Sequence, residues 1–318
     1  MNKYNEKQNK SQCFRTYVKK HISPKAYNYL KDCGSFLGMI ASVDLKRKKQ
    51  VQGNSCKNRF CPLCAWKKAR KDAYVLTVMI KYLQVEHEKE FIFLTLTAPN
   101  VSADDLENEI RRFNKAFKNL FQRKQVKQIC KGYVRKLEIT YNKRRNDYHP
   151  HFHILIAVNK SYFTDKNYYL SQKKWLELWQ DCMSDFSITQ VHVQKFKSDL
   201  DDEMKLEENQ KKKKGIYEIA KYSAKESDYL YNQKVFEVFY SALKGKQTMV
   251  YGGLFKDAMK KFKSDELDAY KNIDPTKYIF YLLYNWNKEQ YIEVESRFLT
   301  EEEIKKWTGK SIDEAEVD

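Results

Sequence analysis

YHPHFHILIAV, residues 148–158, is the stretch on which the fold turns. Side chains alternate faces along a strand, so His151 and His153 point one way while Phe152, Ile154 and Ile156 point the other. One face is polar and the other apolar, which is the signature of a half-buried strand rather than a helix. Immediately upstream, the run Tyr133–Tyr141 has the same character. The polar segment Asn142–Asp147 between them reads as a turn, so the two runs form a hairpin. That pairing brings Glu138, in RKLEITYN, alongside the histidines. Two imidazoles about 7 Å apart along a strand can share a cation. With a carboxylate as third ligand, His151, His153 and Glu138 suit Mn²⁺ or Mg²⁺ acting as a Lewis acid on a phosphate oxygen. His149 has the parity to face the same ion, but Pro150 interrupts the ladder. His149 is therefore expected beside the metal or against DNA.

Working outward, FIFLTLTAPN (residues 91–100) reads as a buried strand closed by a turn, and residues 102–122 as a capped amphipathic helix. Residues 67–87 and 171–185 read as helices, 187–196 as a strand, and 199–214 as a charged surface loop. The order predicts an α+β fold: an antiparallel central sheet with helices on one side. Residues 215–231 (GIYEIAKYSAKESDYLY) are expected to form one helix, with Glu218, Tyr222 and Lys225 at i, i+4 and i+7 on one face. A phenol so placed can attack a DNA phosphorus and hold the strand covalently. Lys225 can favour the phenolate or neutralise phosphate charge, and Glu218 can activate a water in a second step.

A second motif lies in CKNRFCPLCAWKKARK, residues 56–71. Cys61-Pro-Leu-Cys64 forms a knuckle that aims two thiolates at one ion, Cys56 supplies a third, and Cys33, before a hairpin over 36–51, is expected as the fourth. Four cysteines with no open position make a structural zinc site. Arg59, Lys67, Lys68, Arg70 and Lys71 surround it and would present a basic face to DNA. Cys13, Cys130 and Cys182 look unrelated.

The 318 residues carry a formal net charge of +18, which points to a polyanionic partner. Residues 1–80 hold 18 Lys and Arg against 4 Asp and Glu, so the docking surface is expected at the N-terminal end. No stretch is apolar enough for a membrane span, and the polar start MNKYNEKQNKSQ lacks a signal-peptide core. A cytoplasmic, reducing setting follows, in which cysteines serve as metal ligands or free thiols. The expected organisation is a basic disordered arm over 1–23, a zinc-binding DNA-docking module over 24–75, a catalytic domain over 76–245, and an extension of unknown role over 246–318.

Together these segments resemble the rolling-circle plasmid replication initiators with a single active-site tyrosine, within the HUH endonuclease superfamily. The resemblance covers roughly residues 30–255. It rests on the cysteine motif, on FLTLTAPN, on EITYN…HPHFHILIA, and on EIAKYSAKESDY, in that order. Relaxases, the other large HUH branch, place the tyrosine before the histidines. The resemblance implies a ferredoxin- or RRM-like HUH fold and a site-specific single-strand endonuclease. It implies Tyr222 as nucleophile, a 5′-phosphotyrosine, a free 3′-OH primer, and Glu218 assisting hydrolytic termination. Plasmid origin DNA, as a single strand or hairpin, is the implied partner. Host DNA polymerase and helicase are further expected partners, since no Walker loop is present. Dimerisation on DNA is left open. Two rival readings share many of these features: an HUH transposase, and a zinc-containing DNA-binding protein with inert histidines.

Overall fold

The computed structural model describes residues 1–196, 216, 218–220, 223–271 and 274–308. In chain order the elements are α1 (Asn2–Val18), α2 (Pro24–Lys31), β1 (Phe36–Ser42), β2 (Lys48–Gly53), α3 (Pro62–Val85), β3 (Glu90–Thr97), α4 (Leu106–Gln122) and α5 (Lys124–Ile129). They continue with β4 (Gly132–Asn142), β5 (Asp147–Val158), α6 (Ser161–Thr164), α7 (Gln172–Met183), β6 (Val191–Phe196), α8 (Glu226–Tyr229) and α9 (Gln233–Leu243). The last are β7 (Met249–Gly253), α10 (Leu254–Lys263), β8 (Tyr278–Trp286), β9 (Tyr291–Phe298) and α11 (Glu301–Thr308). The architecture is α+β, built on two antiparallel sheets. Among the described residues no helix is long and apolar enough to cross a membrane.

The chain divides into two compact units. One comprises Met1–Tyr74 with the C-terminal residues from Lys271, the other Val75–Tyr270. The first is built on the sheet β2-β1-β8-β9. β1 is its spine, pairing Leu37 with Gly53 on one side and with Tyr284 on the other. Two expectations are corrected here. Residues 2–18 are a helix, not a disordered arm: Tyr4, Phe14 and Val18 are buried, together with Lys7, Gln8 and Ser11 on the same face. Half of that buried face is polar, so no apolar stripe marks it in the sequence. The segment from 246 onward is not one extension. Residues 249–263 complete the second unit, whereas β8 and β9 supply half of the first unit's sheet.

The second unit carries the sheet β6-β3-β5-β4-β7. β5 lies at its centre, where apolar residues are needed on at least one face. Phe152 is fully buried, with Phe113 and Phe117 of α4 edge-on at ring-centroid distances of 5.4 and 5.6 Å. Trp179 of α7 stacks edge-on against Phe113. This apolar layer fixes the sheet's orientation: a one-residue slip would turn both histidines into the core. The β4–β5 turn is set by Asn142, whose Oδ1 accepts from the Arg144 and Arg145 amides, and by Asn146 in the left-handed region at φ 53°.

The expected single helix over 215–231 is broken. Residues 216 and 218–220 are helical, but Ala224 makes a parallel bridge to Ile139, and Lys225 is extended at φ −72°, ψ 140°. The Ile139 amide donates to the Ser223 carbonyl at 2.8 Å. The open edge of β4 thus takes the backbone group that a continuous helix would have used. α8 starts afresh at Glu226. The expected loop over 199–214 lies outside the described residues.

Candidate functional site

Register places the site. β5 pairs His151 with Glu138 and His153 with Lys136 on β4, and pairs the same histidines with Thr97 and Thr95 on β3. Cross-strand partners share a face, so Glu138, His151, His153, Lys136 and both threonines lie on the face opposite Phe152. Glu138, His151 and His153 are all buried, and one ligand atom from each lies within 4.8 Å of the others. Glu138 Oε2 is 3.1 Å from His153 Nε2 and 3.5 Å from His151 Nε2.

The tautomers show what this cluster is suited to hold. His151 Nδ1 lies 3.2 Å from the His149 carbonyl, which can only accept, so Nδ1 carries the proton. In the neutral ring Nε2 is then a bare lone pair facing a carboxylate oxygen. His153 Nδ1 lies 3.2 Å from Thr95 Oγ1, a hydroxyl that accepts from Nδ1 when Nε2 is turned to a cation. Lone pairs and a carboxylate converging in a buried place form a donor set for a cation, with the outer ring nitrogens fixed by second partners. Two imidazoles and one carboxylate fit a divalent cation and leave coordination positions open.

His149 stacks on His151 with centroids 5.2 Å apart. Burial, reinforced by His151, holds its imidazole below the ordinary value, so at neutral pH it is an uncharged group beside the cluster. It lines a cleft of ≈ 450 Å³ at the hairpin end, with Lys143, Arg144 and Arg145 around the mouth. These three cations, Thr95 and Lys136 were missed in the sequence reading. The signal for Thr95 was present: FLTLT carries Thr at period two opposite the histidines.

Of the expected tyrosine face, Tyr222 lies outside the described residues. Glu218 is half-buried on the helical stretch, and Lys225 is exposed beyond the break. Glu218 and Lys225 therefore do not share one continuous helix, which corrects that expectation. The chain directly after Tyr222 is nevertheless anchored, since Ser223 and Ala224 lie against Ile139, the residue next to Glu138.

In the first unit Cys33, Cys56, Cys61 and Cys64 place their sulfurs within 4.8 Å of one another. Cys33 Sγ is 3.8 Å from Cys61 Sγ and 3.4 Å from Cys64 Sγ, and Cys56 Sγ is 3.7 Å from Cys64 Sγ. Tetrahedral zinc with sulfur at about 2.3 Å requires sulfurs about 3.8 Å apart, so the donor set fits that ion. Cys61 and Cys64 flank the start of α3, where the helix dipole favours thiolates. Hydrogen bonds from Cys33, Cys56 and Cys61 hold the Cys64 thiol well below its usual range. Outside the ligand set, Ser55 Oγ lies 3.2 Å from Cys64 Sγ, and Ser11 Oγ of α1 lies 3.7 Å from Cys61 Sγ. Gln8 and Arg15 donate to the Cys33 carbonyl, so α1 braces the cluster.

The basic residues expected around it are variously engaged. Lys68 pairs with Asp72, Lys67 lies over the Tyr4 ring and Arg70 over Trp66, while Arg59 and Lys71 are exposed. Cys13, Cys130 and Cys182 are free thiols outside the cluster.

With the geometry established, the chain can be set beside known proteins. The family described as "Replication protein" matches residues 47–292. "Protein rep" of Staphylococcus aureus is 54% identical over 233 residues, covering 73% of this chain and 96% of the relative. "Protein rep" of Lentilactobacillus hilgardii is 34% identical over 260 residues, covering 80% and 81%. "Protein rep" of Bacillus amyloliquefaciens is 35% identical over 252 residues, covering 76% and 74%. No solved structure matches the chain.

Proposed function

The chain belongs to the replication-protein family of plasmid rolling-circle initiators, and from that premise we propose that it nicks one strand of its plasmid origin by attack of the Tyr222 phenol on a phosphodiester. The observation that carries the reading is the buried Glu138–His151–His153 cluster, with the backbone following Tyr222 pinned one residue away at Ile139. The Ile139–Ser223 bond, which ties the segment after Tyr222 to the strand of Glu138, supports a phenol that reaches a phosphate at that cluster.

Glu138, His151 and His153 would hold a divalent cation, Mn²⁺ or Mg²⁺, which polarises a non-bridging phosphate oxygen when bound. Thr95 and the His149 carbonyl orient the imidazoles for that task. In the reaction the phenolic oxygen forms a bond to phosphorus, and the 3′-oxygen leaves as a hydroxyl after gaining a proton. The products are a 5′-phosphotyrosine and a 3′-OH primer. Lys225 remains a candidate for charge neutralisation, now from an extended segment. Glu218 is assigned to activating water for termination. The four cysteines would hold a structural Zn²⁺ that shapes a DNA-docking surface including Arg59, Lys67, Lys68, Arg70 and Lys71, and the cations beside His149 would grip the strand near the cut. Origin DNA is the partner, with a host helicase and DNA polymerase acting downstream.

Incubation of the protein with a single-stranded origin hairpin and Mn²⁺, followed by mass spectrometry, tests this. A covalent adduct on Tyr222, lost in Tyr222→Phe and in the His151→Ala/His153→Ala double variant, is the expected result. Specific origin binding without any adduct would establish instead a zinc-containing DNA-binding protein with inert histidines.

A further inference from the structure

On the opposite face of the second unit's sheet lies a cavity of ≈ 360 Å³ that the nicking chemistry does not use. Arg135 sits in its wall. Along β4 this residue alternates with Lys136, so it faces away from Glu138 and the histidines. It is only 6% exposed. Its Nη1 donates to Asn114 Oδ1 at 2.6 Å, its Nε has no partner, and its guanidinium lies over the rings of Phe117 and Phe152. Among the described residues no carboxylate pairs with it.

A buried cation without a counterion is costly, and a hydrophobic residue of similar volume would be cheaper to bury. Burial pushes the Arg135 pKa down to about 10, which still leaves it charged at neutral pH. Three more cations, Lys118, Lys127 and Lys131, line the same cavity, and no acidic residue does. Two half-buried rings, Phe121 and Tyr133, complete the wall with centroids 4.7 Å apart. Cations converging on a concave site make a place for an anion, and partly exposed aromatic rings beside them make a stacking platform. The volume lies within the range of small-ligand pockets, about 300–1,000 Å³.

We propose that this cavity binds one nucleotide unit, its phosphate on Arg135, Lys118 and Lys131 and its base against Phe121 or Tyr133. The unit comes either from a free nucleotide or from a single DNA strand passing over this face. The site is separate from the Glu138–His151–His153 cluster, and its occupation does not depend on that cluster's chemistry.

Calorimetric titration of the full chain, without added divalent cation, tests the proposal. dAMP is expected to bind at least tenfold more tightly than either deoxyadenosine or inorganic phosphate. The double variant Lys118→Glu/Lys127→Glu, at two exposed positions, is expected to weaken dAMP at least tenfold. The same charge reversal at Lys173, exposed on α7 outside the cavity, should leave it unchanged. Titration with the pentanucleotide (dT)5 then separates the sources. A matching loss in the double variant identifies a strand, and an unchanged (dT)5 affinity beside weakened dAMP identifies a free nucleotide. Equal binding of dAMP and deoxyadenosine, or wild-type dAMP affinity in the double variant, overturns the proposal.

Discussion

Thr95 and Thr97 offer a sharp test of how the cluster is prepared for a cation. Both lie on β3 in register with a histidine, Thr95 with His153 and Thr97 with His151. Their hydroxyls do different things. Thr95 Oγ1 holds His153 Nδ1 at 3.2 Å, whereas Thr97 Oγ1 donates to the Gln190 carbonyl at 3.1 Å, and His151 is oriented by the His149 carbonyl instead. For His153 Nε2 to present a lone pair beside Glu138, Nδ1 must carry the proton and Thr95 must accept it. Thr95→Val keeps the shape and removes that acceptor. The lost bond is worth about 1–1.5 kcal/mol, and 1.4 kcal/mol is a factor of about ten in affinity. The same order of loss is usual when a partner outside the ligand set is removed from a metal-bound histidine. Mn²⁺ affinity measured by electron paramagnetic resonance should therefore fall about tenfold in Thr95→Val and remain at the wild-type value in Thr97→Val. The thermal midpoint of both variants should stay close to wild type, since valine suits a strand. If both variants bind Mn²⁺ like the parent, or lose affinity equally, the tautomer argument is wrong.

The remaining predictions concern stability and the cysteine cluster. Cys61→Ser, or strong chelation, should release one equivalent of zinc and destabilise the first unit by on the order of 5 kcal/mol, part of the ~10–16 kcal/mol with which thiolate sites hold this ion; Cys13→Ser and Cys182→Ser should do neither. Phe152→Ala should cost ~3–5 kcal/mol in denaturant unfolding, because its ring is fully enclosed between α4 and the sheet. Arg297 grips Glu303 through both carboxylate oxygens at 2.7 Å and holds its pKa at about 2. A lowered carboxyl pKa stabilises above the unfolded value near 4.5 and loses that contribution as pH falls towards 2. With Arg297 39% exposed, solvent screening leaves about 1 kcal/mol. Glu303→Gln should show that deficit at pH 7, and the gap to wild type should close as pH is lowered from 5 to 2; a constant gap would mean the ion pair is not its source.

How much of this could be read from the sequence depended on how local the determining forces are. The β4–β5 hairpin was legible because everything that fixes it lies within 27 residues: alternation in both strands, Asn142 at the turn, and Phe152 opposite the histidines. The four cysteines were legible for a similar reason. The knuckle fixes two of them by spacing alone, and Cys56 lies five residues before it. α1 was not legible because its buried face mixes Phe14 and Val18 with Lys7, Gln8 and Ser11. Two of those polar groups serve the cysteine cluster: Gln8 donates to the Cys33 carbonyl, and Ser11 approaches Cys61. Their signal is written in the partner, not in the periodicity of the helix. The pairing of β1 with β8 was hidden for a different reason, since Leu37 meets Tyr284 across almost the whole chain.

The break at Ser223–Lys225 shows where helical spacing misleads, and it changes the chemistry expected of this segment. Glu218, Tyr222 and Lys225 stand at intervals that a helix would place on one face. The sequence contains no proline or glycine to stop that helix, so nothing local argues against it. The deciding partner is Ile139, whose amide on the open edge of β4 lies between the bond from Leu137 to Thr248 and the bond from Tyr141 to Asp228. An unpaired amide on a buried strand is costly, and the Ser223 carbonyl answers it. A carbonyl committed to a sheet edge is not available to the next helical turn, so the helix yields at that point. The segment that follows Tyr222 is thereby tied to the strand that carries Glu138. The point at which that segment meets the sheet is governed by the β4 register, which the buried face of the sheet already fixes to within a residue.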